Sequence, residues 1–559
     1  MTDWLDATEL RVGLGCMRLP SDGDVALATI AAAADAGVTV FDTARAYPGN
    51  EQLLARALRG RAVRIVTKGG MARPDGRWVP DGRARTVRRD CEVSLETLGG
   101  LPIDLYLVHA PDPRTPWRTT VRALAKLVDD GLVRGVGVAN VNRRQLDEAL
   151  ELAPLAAVQV AVSVYDDRAI RGGVVARCEE RGLTVIAHSP LGGPRRIARL
   201  RRDETLRRVA GSHGASPEEV ALAWLLDQSS SLVAIPGART IAAAESAVRA
   251  ASLDLDAGDQ SSLASFGHGR ARSAARQVGD VVLLMGIPGA GKSQAAETFV
   301  AKGYGLLNRD ERGGTLLDVA DALDDMLRGG ETRVVVDNTY LTRAQRSRVV
   351  ETAARHSVSV SCLWIDTPLP QAQVNMVERL LERFGSLPTP DELRRRSRQE
   401  PGLHTPTSQM RAARELEEPE EDEGFERVER VAFERIDRSG VAGVFVAAPV
   451  LERPGWKQAV SAASPAAPHL VFDWRPGEPD AAGATAALVL AESVAGRVEH
   501  ADCVHPGGPP VCWCRPPLPG LLLAFARRHG VSPARSFVVG VSSAHQTLAR
   551  TLGATFVQA

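Results

Sequence analysis

The first 265 residues repeat one pattern eight times, and this repetition constrains the fold more than any other feature of the chain. The short runs LRVGLGC, GVTVFDT, AVRIVTK, IDLYLVH, VRGVGVA, AAVQVAV, LTVIAH and SLVAIP are rich in β-branched residues. They alternate with helix-like stretches such as DVALATIAAAADA. That alternation is the signature of parallel βαβ units. Eight such units in about 265 residues suit a closed TIM-type (β/α)8 barrel better than an open sheet.

The whole chain, at 559 residues, is too long for one hydrophobic core, and three α/β domains are expected. The barrel occupies 1–265. A polar, Gly/Ala/Arg-rich linker follows at 266–279. The run VVLLMG opens a P-loop α/β domain over 280–437, which ends after the acidic stretch ELEEPEEDEG with a closing strand near 430–436. A small Rossmann-like α/β domain fills 440–559, with GVFVAAPVL as its first strand and a Pro/Ala-rich insert around 461–468.

The 68 basic and 68 acidic residues cancel, so no global field attracts nucleic acid or a membrane, and any basic site must be local. No apolar run reaches membrane-spanning length, and the amino terminus lacks the basic-then-apolar pattern of a secretion signal. A cytoplasmic protein that does not engage a membrane is expected, with Cys16, Cys91, Cys178 and Cys362 as reduced core thiols. Oligomeric state is not legible.

FDTARAYPGNE places Asp42 and Tyr47 just past the second strand, while Lys68 closes the third and His109 the fourth. Barrel enzymes place their chemistry at these carboxyl ends. On these residues the first domain resembles the aldo-keto reductases, in which a tyrosine protonates a carbonyl oxygen as hydride arrives from a nicotinamide cofactor. The resemblance implies Tyr47 as proton donor, its pKa lowered by Lys68, which Asp42 holds, with His109 orienting a small carbonyl substrate. It also implies Asn140 and Gln159 as the carboxamide-binding pair, His188 as the residue stacking on nicotinamide, and Arg239 as a partner for a 2′-phosphate. Ala139 and Ala243 depart from the family pattern, so NADPH and NADH both stay open. A non-enzymatic alternative makes the barrel a nicotinamide-sensing or docking module.

GIPGAGKS follows a strand and precedes helix-like sequence, the context a phosphate-binding loop requires. Gly286, Gly289 and Gly291 expose backbone N–H groups to phosphate, Lys292 reaches the β/γ oxygens of ATP, and Ser293 takes Mg²⁺. NRDER, VVVDNTYLTRAQR and RLLERFG further resemble the kinase half of polynucleotide 5′-kinases. That likeness implies Asp310 as the base on a 5′-hydroxyl, Asp337 and Asn338 around the acceptor, and Arg379 and Arg383 as a phosphate clamp on one helical face. DELRRRSRQE adds a local basic patch for an RNA or DNA 5′-end. A small-molecule acceptor remains the alternative.

CVHPGGPPVCWC holds Cys503, His505, Cys512 and Cys514. With the following RPPLPG it resembles the zinc loop of one branch of the haloacid-dehalogenase-like phosphatases. The catalytic motifs of that superfamily are absent: Ala447 and Ala448 stand for the nucleophile and acid, Asp473 for the Ser/Thr after the second strand, Pro516 for the lysine, and Val541 and His545 for the magnesium ligands. A structural zinc site in a catalytically silent domain is expected.

Overall fold

The computed structural model describes residues 4–559 apart from 7, 264–265, 267–278, 401, 434, 436–439, 462–464 and 478–480. Nearly all of the expected linker therefore lies outside the described residues. The chain divides into two compact units, Met1–Arg270 and Ala271–Ala559.

In the first unit the eight apolar runs form parallel strands: β1 (Leu14–Gly15), β2 (Val40–Asp42), β3 (Arg64–Gly69), β4 (Leu105–Val108), β5 (Val136–Ala139), β6 (Leu155–Ala161), β7 (Thr184–His188) and β8 (Leu232–Ile235). They pair in sequence order. A parallel bridge from Val12 to Ala234 brings the last strand back to the first, with Gly13 N–H donating to Ala234 O at 2.8 Å and Gly15 N–H to Pro236 O at 2.9 Å. Inward-facing Val40, Val66, Leu105, Leu107, Ile186 and Ile235 fill the barrel with Trp4. The filled interior makes the barrel a packed core rather than a pore. Helix starts follow local chemistry: Ser216 with Glu219 and Asn142 with Gln145 form reciprocal capping boxes. Phe266 packs against the barrel core, one residue beyond the expected boundary.

The second unit contains two parallel sheets. β9 (Asp280–Met285), β10 (Gly305–Asn308), β11 (Arg333–Asp337), β12 (Ser359–Asp366) and β13 (Arg427–Ala432) are ordered β10-β11-β9-β12-β13. The closing strand thus ends before the expected 430–436 span does. β14 (Val444–Ala447), β15 (His469–Trp474), β16 (Val498–Cys503), β17 (Phe537–Gly540) and β18 (Thr555–Gln558) are ordered β16-β15-β14-β17-β18. In both sheets the order reverses beside the first strand, which opens a crevice at the carboxyl ends.

The first of these sheets has apolar clusters of its own, around Leu283, Leu307, Val336 and Leu323, but one of its helices belongs to the core of the second. Helix Leu369–Phe384 sends Val374, Met376, Val377, Leu380 and Leu381 into the same apolar cluster as Phe445, Phe472, Trp513 and Phe525 of the C-terminal sheet. The expected second and third domains thus share one helix face across their boundary. Sequence periodicity reveals an apolar helix face but not the element that covers it. Among the described residues no helix is long and apolar enough to cross a membrane.

Candidate active sites

At the carboxyl end of the barrel, Lys68 Nζ lies 2.7 Å from both carboxylate oxygens of Asp42 and 2.7 Å from Thr43 O. Lys68 is fully buried and Asp42 is 3% exposed. Burial pushes the Asp42 carboxyl upward against the pull of Lys68 and of Gln159, whose Nε2 donates to Asp42 at 2.7 Å. The Lys68 ammonium sits 5.6 Å from the centre of the Tyr47 ring, and the Tyr47 and His109 rings meet edge-on at 5.9 Å. Asn140 Nδ2 donates to His109 O at 2.9 Å, and its Oδ1 lies 3.0 Å from His188 Nε2. Asn140 holds a φ of 57°, a left-handed conformation that asparagine tolerates better than most residues.

The Tyr47 phenol is pushed above its ordinary value of 10 by burial and then by the Asp42 carboxylate, where a lowered value was expected. Burial is the first cause, and the nearby Asp42 carboxylate adds to it. A raised value keeps the phenol protonated, the form a proton donor needs. Burial, and then Lys68, lowers His109 to about 3, so its imidazole is neutral near pH 7. Its Nδ1 is buried with no hydrogen-bond partner among the described residues.

In the second unit, Gly286, Gly289 and Gly291 have φ of 152°, 82° and 101°, backbone that only glycine adopts freely. The loop wraps into helix Lys292–Val300. It is held from outside by Gln409 Nε2 on Pro288 O at 2.7 Å, Asn375 Nδ2 on Gly289 O at 2.8 Å and Thr367 Oγ1 on Ala290 O at 2.8 Å. Lys292 Nζ donates to Gly286 O and Ile287 O at 3.0 and 3.1 Å, and burial lowers it to about 8. A small crevice unites Lys292, Ser293, Asp310, Asp337, Asn338 and Arg379 with Gly402 and His404. Beside it, a cleft of about 500 Å³ is lined by Gly289, Asn375, Glu378, Arg379, Phe433 and Arg435, among others.

In the C-terminal loop, Cys503 Sγ lies 3.4 Å from His505 Nδ1 and 3.6 Å from Cys512 Sγ, and Cys514 Sγ lies 3.2 Å from His505 Nδ1 and 3.4 Å from Cys503 Sγ. All four ligand atoms fall within 4.8 Å of one another. A tetrahedral Zn²⁺ with bonds of about 2.0–2.3 Å has ligand–ligand edges of about 3.5–3.8 Å, so the donor set fits such an ion. No cysteine is in a disulfide.

A model of the aldo/keto reductase family matches residues 11–267. Aldo-keto reductase str7 of Strobilurus tenacellus is 32% identical over 257 residues, spanning 40% of this chain and 75% of that protein. The chain belongs to the aldo/keto reductase family. Probable aldo-keto reductase 1 of Glycine max is 31% identical over 272 residues, spanning 41% of this chain and 78% of that protein. A solved thermostable aldo-keto reductase in complex with the inhibitor epalrestat is 31% identical, with a TM-score of 0.41, over 46% of this chain and 95% of that one. A second family model, described as an AAA domain, matches residues 281–401. This aldo-keto reductase therefore carries a P-loop domain after its barrel in the sequence.

The structure gives several of the expected site residues of this aldo-keto reductase partners that the sequence did not show. Gln159, expected on the cofactor carboxamide, has its amide N–H on Asp42. Asp337, expected at the acceptor, accepts from Ser293 Oγ at 3.4 Å and from Asn308 Nδ2 at 3.0 Å. Arg379 faces the crevice, but Arg383 pairs with Glu400 at 2.6 Å and lines neither cavity. In the basic run, Arg394 is matched by Asp391 at 3.2 Å and Arg396 by Glu400 at 3.4 Å, so that patch is partly neutralised. Arg239 is exposed just before helix Ile241–Ala250.

Sequence reasoning also missed residues. Trp78, 41% exposed, stands at the mouth of the barrel site with its ring 6.1 Å from Tyr47 and 5.4 Å from His109, and Arg73 stacks on it at 4.3 Å. A lone tryptophan in the loop GGMARPDGRWVPDGR was the available signal. His404, lowered to about 4 by burial, had no local signal.

Proposed function

We propose that the barrel reduces a small aldehyde or ketone with NADPH or NADH, and that the P-loop domain moves the γ-phosphoryl group of ATP to a hydroxyl, that of a polynucleotide 5′-end being the preferred acceptor. The observation that carries the first half is the buried Asp42–Lys68 pair beneath a protonated Tyr47 and a neutral His109. A bound nicotinamide supplies hydride. The chain's own residues do the rest: Tyr47 O–H hydrogen-bonds the carbonyl oxygen and donates its proton as negative charge develops there. The neutral imidazole of His109 orients that oxygen, and Lys68, fixed by Asp42, supports the phenolate that forms. Trp78 and Arg73 cover the mouth against water. Exposed Arg239 beside a helix N-terminus suits a cofactor phosphate.

In the P-loop domain, the loop N–H groups and Lys292 hold phosphate, Ser293 and Asp337 are placed to hold Mg²⁺, and Arg379 neutralises charge on the transferred group. Asp310, which lines the same crevice, serves as the base for the acceptor hydroxyl. The partly neutralised arginine run favours keeping a small-molecule hydroxyl as the second reading. The cysteine–histidine loop holds a closed structural zinc ion, with no open position for a nucleophilic water.

Two assays test these readings. NAD(P)H oxidation is followed against a panel of carbonyl compounds. A single stoichiometric oxidation without turnover would instead make the barrel a sensing module. Labelled ATP is offered with 5′-hydroxyl RNA, 5′-hydroxyl DNA and small hydroxyl compounds. Label on the small compounds alone would remove the polynucleotide from the proposal.

A further inference from the structure

The cysteine–histidine loop touches the phosphoryl-transfer crevice through one side chain. Trp513 sits between two of the metal-binding cysteines, Cys512 and Cys514, and is 2% exposed. Its indole Nε1 donates to His404 O at 3.2 Å. Two neighbouring contacts clamp the same segment: Thr407 Oγ1 donates to Pro510 O of the loop at 2.8 Å, and Leu403, 3% exposed, lies in the core shared with the C-terminal sheet. The clamped segment carries Gly402 and His404, which line the crevice with Lys292, Asp310 and Arg379. Gly402 O in turn accepts from Arg379 Nη1 at 3.5 Å. The helix bearing Arg379, Leu369–Phe384, is packed into that shared core by Val377, Leu380 and Leu381.

The fit around the tryptophan leaves no slack. Gly520 N–H donates to Trp513 O at 3.1 Å. A Cβ on Gly520 would lie 2.5 Å from that oxygen and 2.8 Å from Leu387 Cδ1, so only glycine permits this approach of three segments. A metal ion at the four ligands fixes Cys512 and Cys514, hence the backbone on both sides of Trp513, and hence the carbonyl it grips.

We infer that Trp513 is a positioning residue for phosphoryl transfer, and that the metal-held loop, which lacks phosphatase chemistry of its own, sets the His404 segment against the P-loop. This rests on the kinase reading given above. It predicts that the C-terminal domain acts on turnover more than on nucleotide capture, because Trp513 reaches the crevice through the Gly402 and His404 segment, whereas Lys292 rests on Gly286 O and Ile287 O and Thr367, outside that segment, holds Ala290 O.

The test uses the full chain. Trp513→Phe keeps an aromatic ring in the core and removes only the N–H. Its kcat for phosphoryl transfer should fall about 3- to 10-fold, the worth of one hydrogen bond, with KM for ATP and carbonyl reduction by the barrel both unchanged. Thr407→Val should give a smaller fall of the same kind. Independently of activity, a zinc-selective chelator, with Mg²⁺ in excess, should speed deuterium exchange across 402–410, and added Zn²⁺ should restore the slow rate. Wild-type kcat in both variants, or a rise in KM for ATP without a fall in kcat, would overturn the inference. Unchanged exchange after chelation would overturn it as well. If the wild-type chain transfers phosphate to no acceptor, the kinase reading fails instead, while the exchange experiment still decides whether the metal orders this segment.

Discussion

The two sites of this chain each place a lysine ammonium against oxygen, and the difference between them is instructive. In the barrel, Lys68 is fully buried and bridged to both oxygens of Asp42, and both residues are fixed by strands of one closed sheet. In the P-loop domain, Lys292 rests on two loop carbonyls, and its charge meets no carboxylate within hydrogen-bonding distance among the described residues. The barrel site is finished before any ligand arrives. The P-loop site leaves a cation whose partner is to be phosphate. A preformed site ties catalysis to fold stability, whereas one completed by its ligand separates them.

The largest effect tests that separation. Lys68→Met leaves the Asp42 carboxylate buried and uncompensated, which should destabilise the barrel by about 3–5 kcal/mol and abolish carbonyl reduction. Lys292→Met should abolish nucleotide binding while changing unfolding stability by less than about 1 kcal/mol. Chemical denaturation of the two variants, followed beside nucleotide binding, checks this. Equal losses of stability would erase the distinction between the sites.

Within the barrel, Tyr47→Phe should lower kcat by at least about 10²-fold, the usual worth of a positioned acid, with the fold intact because the Asp42–Lys68 pair remains. Near-normal turnover would remove the phenol from its role.

The same contrast decides what was legible in the sequence. The eight strands and the barrel set could be read because each residue is fixed by its position at the end of a local apolar run: Asp42 after β2, Lys68 in β3, His109 after β4. The loop glycines were legible for the same local reason. The pairs that neutralise Arg394 and Arg396 were open to reading from their i,i+3 and i,i+4 spacing, whereas those of Arg383 with Glu400 and of Asp337 with Ser293 are set by helix rotation and sheet register. The Tyr47 shift was misread because spacing brings the ammonium near without showing how deeply the phenol is buried. Trp513 and His404, 109 residues apart, meet only through the shared core.

Helix rotation provides the next test. Arg379→Ala should reduce phosphoryl transfer about 10- to 100-fold, in keeping with the loss of a charge that faces the transferred group. Arg383→Ala, which breaks a half-exposed pair with Glu400, should stay within about 2-fold. Equal effects would restore both arginines to one clamp.

The smallest expected effect is a pH dependence. Burial holds Lys292 near 8 rather than at its ordinary 10.5. Triphosphate binds the ammonium form and therefore raises this value in the complex, so affinity is full below about pH 8 and weakens as pH rises through it, by at most about tenfold per unit. His109, held near 3 by burial, stays neutral over this whole range, and the raised Tyr47 keeps its proton. Carbonyl reduction should therefore show no step between about pH 6 and 9 while nucleotide affinity falls across the upper part of the same interval. Titrating both on one sample separates the sites directly. A nucleotide affinity that is flat to about pH 10 would mean that the loop carbonyls hold Lys292 charged despite its burial, and that this site too is finished before its ligand arrives.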